Sequence, residues 1–284
     1  MSEIPNKTVV SLDVTPQTGV SEDTPTNISE NTTPESLSSP DNINKIKAEF
    51  LEGIEQDNIE IIEKYAHMNL INNTKLVIYS VIQNLPNIFR YCLESNINLA
   101  HNILNEKNGY RLLEYTCQYD RYDMTCVLVE KYKTQINVVN RKGVNQQDYL
   151  PINICIYENN IDLVKYLFIN EVDVTIKHNL TGNTPLHIAT LCNNIEILNL
   201  LAEYSDNVNI PNKKGNTPLH LATYLNDFNA VNILINHKAD INTKNYDYNT
   251  PLDIAMLENY NDIVELLRNM NANVTYGNSY DIML

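Results

Sequence analysis

The chain has 284 residues, a formal net charge of −15 and a pI near 4.7. Phosphate binding rests on clustered Lys and Arg, so this balance argues against nucleic acid and against an anionic membrane surface. No apolar run approaches the roughly 18 residues of a membrane span, the longest stretch being Leu76 to Ile82. The first residues lack the apolar core of a signal peptide, so an intracellular location, cytoplasmic or nuclear, is expected. Cys92, Cys117, Cys126, Cys155 and Cys192 are odd in number and form no C-x-x-C pair, which reads as reduced thiols packed as small apolar residues.

Residues 1–43 stand apart. More than half are Ser, Thr, Pro or Asn, none is aromatic, and seven acids face the single Lys7. Such a segment buries too little apolar area to offset ordering entropy, so a disordered tail is expected. Thr15, Thr24, Thr33 and Ser39 each precede a proline. They read either as proline-directed phosphorylation sites or as the by-product of a solvating composition.

From residue 44 the chain becomes rich in Ile, Leu, Asn and Tyr and turns periodic. Residues 45–66 and 74–93 carry paired helical apolar patterns. Gly109 to Leu128 adds a third unit, with Asp120 to Leu128 as its second helix. Leu150-Pro-Ile-Asn-Ile-Cys155 then leads to Ile161-Asp-Leu-Val-Lys-Tyr-Leu167. Gly182-Asn-Thr-Pro-Leu-His187 recurs as Gly215-Asn-Thr-Pro-Leu-His220 and, in part, as Asn249-Thr-Pro-Leu-Asp253, so Thr184, Thr217 and Thr250 lie 33 apart. Each is followed by a second apolar run, ending with Tyr260 to Leu267.

The repeated residues have physical roles. Thr suits a helix N-cap, and the following Pro lacks an N–H that would have no partner there. Gly182 and Gly215 suit a preceding turn with positive φ. Leu186, Ile188 and Ala189 give the first helix its apolar face, and the polar break Asn193-Asn194, like Asn226-Asp227, restarts the chain into the second. Neither helix is long enough to be stable alone, so each unit must stack on its neighbours.

These motifs resemble the ankyrin repeat, with its Thr-Pro-Leu-His opening and the endings Asn207-Val208-Asn209 and Asp240-Ile241-Asn242. The resemblance is specific over residues 182–275 and weakens upstream. It implies an all-α solenoid of stacked helix-turn-helix units with β-turn fingers. Seven repeats are expected within 44–276, at 44–73, 74–108, 109–142, 143–181, 182–214, 215–247 and 248–276, then a short tail at 277–284. Tetratricopeptide arrays share a similar period but lack the Thr-Pro helix start. The family usually places Gly after the second helix, where left-handed geometry is needed; here Ser205, Lys238 and Asn271 stand there, and Tyr248 replaces a turn Gly. Leu234 and Asp240 precede Asn242 as in repeats modified by an asparaginyl hydroxylase. Asp281 to Leu284 fits either a ligand for a PDZ-type domain or the end of a cap.

No chemistry is visible. The seven Gly write neither a G-x-x-x-x-G-K loop nor a G-x-G-x-x-G loop, and no H-E-x-x-H or G-x-S-x-G occurs. His187 and His220 occupy equivalent places in adjacent repeats, too far apart to share zinc, and are expected to hydrogen-bond the turns around them. No enzyme activity, cofactor or metal is therefore expected.

The resemblance implies instead a protein–protein interaction module that binds through its concave face. Turn tips would be Leu180, Thr181, Lys213, Lys214, Tyr246 and Asp247. An outward first-helix position holds Tyr157, Leu191, Tyr224 and Leu257, spaced 34, 33 and 33 apart. This stripe reads either as a contact surface or as residues half covered by neighbouring turns. The acidic charge favours a basic partner, and a monomer is expected when unbound. A regulatory or inhibitor-like protein, a viral or parasite effector and a subunit of a permanent complex are all compatible.

Overall fold

The computed structural model describes residues 40–68, 70–71, 73–95, 108–132, 136–137 and 150–273. Among them are fourteen helices and no strand, and they fall into helix pairs. The chain divides into two compact units, residues 1–134 and 135–284.

In the first unit the pairs are α1 (Pro40–Glu55) with α2 (Ile59–Tyr65), α3 (Asn73–Gln83) with α4 (Pro86–Glu94), and α5 (Asn108–Gln118) with α6 (Tyr122–Cys126). The last of these continues as a π turn over Val127–Lys131. In the second unit they are α7 (Pro151–Tyr157) with α8 (Ile161–Ile169), α9 (Pro185–Cys192) with α10 (Ile195–Tyr204), α11 (Pro218–Tyr224) with α12 (Phe228–Asn236), and α13 (Pro251–Leu257) with α14 (Asn261–Asn269).

One backbone device closes all seven pairs. Asp57, Asn84, Asp120, Asn159, Asn193, Asn226 and Asn259 each follow the first helix with φ between 51° and 60°. Asn and Asp are the residues that enter the left-handed region at least cost after Gly. The next N–H in each case returns to a carbonyl in the last turn of that helix, as in Asn194 N–H to Ala189 O at 3.2 Å and Asp227 N–H to Ala222 O at 3.0 Å. Orphan helix-end carbonyls are thereby satisfied while the chain reverses.

Packing follows the expected faces. In α9 every residue from Pro185 to Thr190 is buried, and in α10 Ile197, Leu198, Leu201 and Ala202 are buried. Cys92, Cys117 and Cys155 are buried, Cys126 and Cys192 half-buried, and none of the five is in a disulfide. Burial pushes the Cys92 thiol up to about 12, so it stays protonated and packs as an apolar side chain. Of the residues read as needing left-handed geometry, Lys238 (φ 66°), Asn271 (60°) and Tyr248 (62°) adopt it. Ser205 does not. It is extended at φ −85°, ψ 125°, because α10 runs on to Tyr204, whose ring stacks on Phe168 at 4.4 Å.

In the first unit a side chain from one pair secures the helix ends of another. Asp57 accepts from the N–H groups of Asn87 and Ile88 at 3.0 and 2.9 Å, serving an α4 start whose own N-cap, Leu85, has no side-chain acceptor. Arg121 donates through Nε to Val81 O and through Nη2 to Ile82 O, both at 2.8 Å, near the end of α3. Replacing Arg121 by Ala is expected to cost about 1–2 kcal/mol, since two part-buried carbonyls lose charge-assisted donors. A urea titration of the full chain checks this, with Arg121→Lys recovering only part of the loss because an ammonium lacks the planar fork.

Candidate functional site

The Thr-Pro motifs build a row of turns beside the first helices of the second unit. In each, a backbone N–H closes on a carbonyl across the turn: His178 to Asn183 at 2.8 Å, Asn212 to Asn216 at 2.8 Å and Asn245 to Asn249 at 3.0 Å. Adjacent turns are joined by Lys213 N–H to Thr181 O at 2.9 Å and Tyr246 N–H to Lys214 O at 3.1 Å. Three β-turn fingers therefore stand side by side. Gly182 and Gly215 shape the first two with φ of 72° and 74°, and Tyr248 occupies the equivalent place in the third.

Buried side-chain amides repeat the connection. Asn212 Nδ2 donates to Asn183 Oδ1 at 2.9 Å, and Asn245 Nδ2 donates to Asn216 Oδ1 at 2.8 Å. The other end of each donor amide organises its own finger: Asn212 Oδ1 accepts from Lys214 and Asn216 N–H, Asn245 Oδ1 from Asp247 and Asn249 N–H. These amides are satisfied on both sides, which is why polar groups can be buried there.

The histidines complete the frame. His187 Nδ1 faces the N–H and Oγ1 of Thr184 at 3.1 and 2.8 Å, and Nε2 lies 2.9 Å from Asn216 O in the next finger. A backbone donor at Nδ1 requires that nitrogen to be unprotonated, so Nε2 carries the hydrogen and donates onward. His220 repeats the arrangement with Thr217 and with Asn249 O at 3.1 Å. Burial pulls the His187 pKa down to about 4 and lowers that of His220, so both rings are neutral at pH 7. The expected contact to the local turn is present; the second contact, 29 residues onward, is not one that the motif displays. Asp253 holds this place in α13, its Oδ2 accepting from the N–H and Oγ1 of Thr250 at 2.9 and 2.8 Å.

The endings Asn207-Val208-Asn209 and Asp240-Ile241-Asn242 are also turns. Asn207 Oδ1 accepts from Asn209 N–H and Asp240 Oδ1 from Asn242 N–H, at 2.8 and 2.9 Å. Asn209 Oδ1 then accepts from Asp240 N–H, and Asn242 Oδ1 from Asn273 N–H, both at 2.7 Å. The half-buried Asn242 amide thus ties one repeat to the chain after the next second helix.

On this frame the positions singled out in the sequence are displayed as follows. Leu191, Tyr224 and Leu257 are 47%, 39% and 62% exposed, while Tyr157 is half-buried. Leu180, Thr181, Lys213, Lys214, Tyr246 and Asp247 are exposed at the fingers, and the Lys213 ammonium donates to Asn179 O. Tyr248, 75% exposed beside Tyr246, is a further aromatic on the third finger, signalled in sequence only by its place where Gly was expected. Thr15, Thr24, Thr33 and Ser39 lie outside the described residues, as do Asp281 to Leu284. Among the described residues no group of three His, Cys, Asp or Glu is placed to hold a metal ion, and no helix is long and apolar enough to cross a membrane.

The family model for ankyrin repeats in three copies matches residues 152–245, and the single ankyrin repeat model matches 247–279. An ankyrin repeat protein of fowlpox virus, strain NVSL, is 26% identical over 154 residues, which is 54% of this chain and 32% of that protein. The chain thus spans about a third of the length of this relative. Ankyrin repeats are protein–protein interaction modules, and through residues 152–279 the chain belongs to the ankyrin-repeat family.

Proposed function

We propose that the protein is a non-catalytic binding module that engages a protein partner through the face formed by its fingers and first helices, the concave face of an ankyrin array. The observation that carries this reading is the row of apolar side chains left in solvent beside the exposed finger tips: Leu191, Tyr224 and Leu257, next to Leu180 and Tyr246. The frame beneath them is fixed by buried hydrogen bonds, so a partner would meet a surface already arranged, at little ordering cost. Each of the seven helix pairs is one repeat in this reading. The acidic charge of the whole chain favours encounter with a basic partner. The role is regulatory or inhibitor-like, in an intracellular setting. The likeness to a fowlpox virus ankyrin repeat protein supports a second reading, an effector that engages a host protein.

The test is a paired capture from lysate with quantitative mass spectrometry. Wild type is compared with the combined Tyr157→Ser, Leu191→Ser, Tyr224→Ser and Leu257→Ser variant. Apolar anchors of this size contribute about 1.5–3 kcal/mol each when buried, so the variant is expected to lose its partner while keeping the helical circular dichroism of wild type. Equal capture by both would refute the stripe as the binding surface.

A further inference from the structure

Charge in the second unit is segregated. Over residues 150–273 there are fourteen acids against seven Lys and Arg. The three fingers, each taken with the residue before its closing pair, span 177–183, 211–216 and 244–249. They hold four of the seven bases, Lys177, Lys213, Lys214 and Lys244, and a single acid, Asp247. All four lysines are exposed. Of the other acids, Asp253 is buried in its bonds to Thr250, while Glu158 and Glu258 cap the far ends of α7 and α13. An acidic molecule thus presents a basic row at its fingers.

The row is also ordered. Lys177 Nζ donates across to Pro211 O at 2.7 Å, and Lys213 Nζ donates back to Asn179 O, so each side chain is held against the neighbouring finger. An ammonium has three N–H groups, so both keep donors for a ligand. Among the described residues none of the four pairs with a carboxylate. Between them stand Leu180, Tyr246 and Tyr248, which are 53%, 68% and 75% exposed. Exposed charges more than about 8 Å apart are largely screened at physiological salt. The acidic remainder of the chain therefore acts on the approach of a partner, and the lysines select what lies on the fingers. A long polyphosphate would run off so short a row onto acidic surface, which disfavours nucleic acid.

We propose that the fingers bind an acidic segment of a protein partner, a stretch of Asp and Glu interleaved with bulky apolar residues. Its carboxylates meet Lys177, Lys213, Lys214 and Lys244, and its apolar side chains pack on Leu180, Tyr246 and Tyr248. This rests on the binding face proposed above and names the chemistry of the segment that face takes. It concerns the contacting segment and holds for a partner of either net charge.

The test is a selection of random twelve-residue peptides, displayed on phage, against the full chain. Wild type is expected to enrich peptides rich in Asp, Glu and bulky apolar residues. The most enriched peptide is then synthesised and its binding followed by fluorescence anisotropy. Changing the four finger lysines to Gln, which keeps an N–H donor at each place, is expected to weaken binding about tenfold or more at physiological salt. Lys165→Gln, Lys238→Gln and Arg268→Gln combined remove nearly as much exposed charge away from the fingers, and should leave binding within about twofold. Acidic peptides that need the lysines but survive the four serine changes of the stripe variant would uphold this inference while refuting the stripe. Basic or uncharged peptides that need the stripe but not the lysines would overturn it and leave the binding face standing. Equal weakening in the two charge variants would overturn it by assigning the effect to net charge, and displacement of the peptide by an unrelated oligonucleotide at equal concentration would give the row to nucleic acid. Enrichment of no peptide that depends on either lysines or stripe would overturn both readings. Circular dichroism confirms that each variant keeps its helices.

Discussion

Acidification from pH 7 towards pH 4 is expected to weaken the second unit through His187 before the carboxylates titrate. The ring is buried, and its pKa in the folded chain is about 4 against an ordinary value of 6.5. An unfolded chain takes up the proton near pH 6.5, whereas the folded chain resists it until about pH 4, so falling pH favours unfolding. The stability linked to the neutral ring is fully present above pH 6.5 and is lost as pH falls to about 4. A shift of this size corresponds to roughly 3 kcal/mol across the whole window, and about 2 kcal/mol of it is already lost at pH 5. His220 moves in the same direction. Protonation at Nδ1 would also turn the acceptor of the Thr184 N–H into a donor, leaving that backbone N–H without its partner. The measurement is the urea midpoint at several pH values for wild type and His187→Ala. The variant should be weaker at pH 7 by about 2–4 kcal/mol, because the Thr184 N–H and Asn216 O lose their partner in a buried site. Its pH dependence between 6.5 and 4.5 should also be flatter. An undiminished slope would locate the acid sensitivity elsewhere.

Much of this architecture was legible in the residues. Thr-Pro-Leu-His states a helix start in four letters, because the N-cap, the missing N–H of proline and the apolar face are all local requirements. The polar breaks after the first helices were visible in two repeats, yet the same signal ran through the whole chain. An Asn or Asp stands at all seven reversals, from Asp57 to Asn259, each in the left-handed region. Read as a series, those residues mark the helix pairs even where Thr-Pro is missing. Other features depend on atoms far apart in sequence. The bond from His187 Nε2 to Asn216 and the amide ladder both span 29 residues, and each Asn alone looks like ordinary loop composition. Arg121 reaches back to Val81 and Ile82, and nothing local distinguishes it from a solvated cation. Ser205 escaped the expected left-handed geometry because helix length is set by packing, here the Tyr204–Phe168 stack, and not by propensity at one position. The 33-residue period could align the stripe on one face, but not decide how far neighbouring turns cover each side chain. Tyr157 is half-buried while Leu257 is 62% exposed.

Gly215→Ala should destabilise the second unit by about 3 kcal/mol, more than its single added carbon suggests. Two separate constraints meet at this residue. Its φ is 74°, where a side chain costs about 1 kcal/mol. A Cβ there would also lie 2.7 Å from Tyr246 N and 2.6 Å from Tyr246 Cδ1. The ring could swing away, since Tyr246 is exposed, but the amide nitrogen belongs to the neighbouring finger. That amide donates to Lys214 O, so moving it breaks the backbone rung between the two fingers. The displacement also disturbs the adjacent Asn245 side chain, whose Nδ2 is buried against Asn216 Oδ1. Losing one or two such bonds adds about 1–2 kcal/mol to the conformational strain. Gly182→Ala meets Lys213 N at 2.7 Å and should behave alike. Tyr248→Gly separates the two constraints in the same assay. It stands at φ 62° and is 75% exposed, so replacing it relieves backbone strain without touching a neighbour's backbone. It should therefore raise the unfolding free energy slightly, by up to about 1 kcal/mol. A loss of only about 1 kcal/mol in Gly215→Ala would mean that the fingers slide past one another freely. A loss near 3 kcal/mol, with a gain in Tyr248→Gly, would identify the close approach of adjacent backbones as the constraint that keeps a glycine in the second finger while the third manages without one.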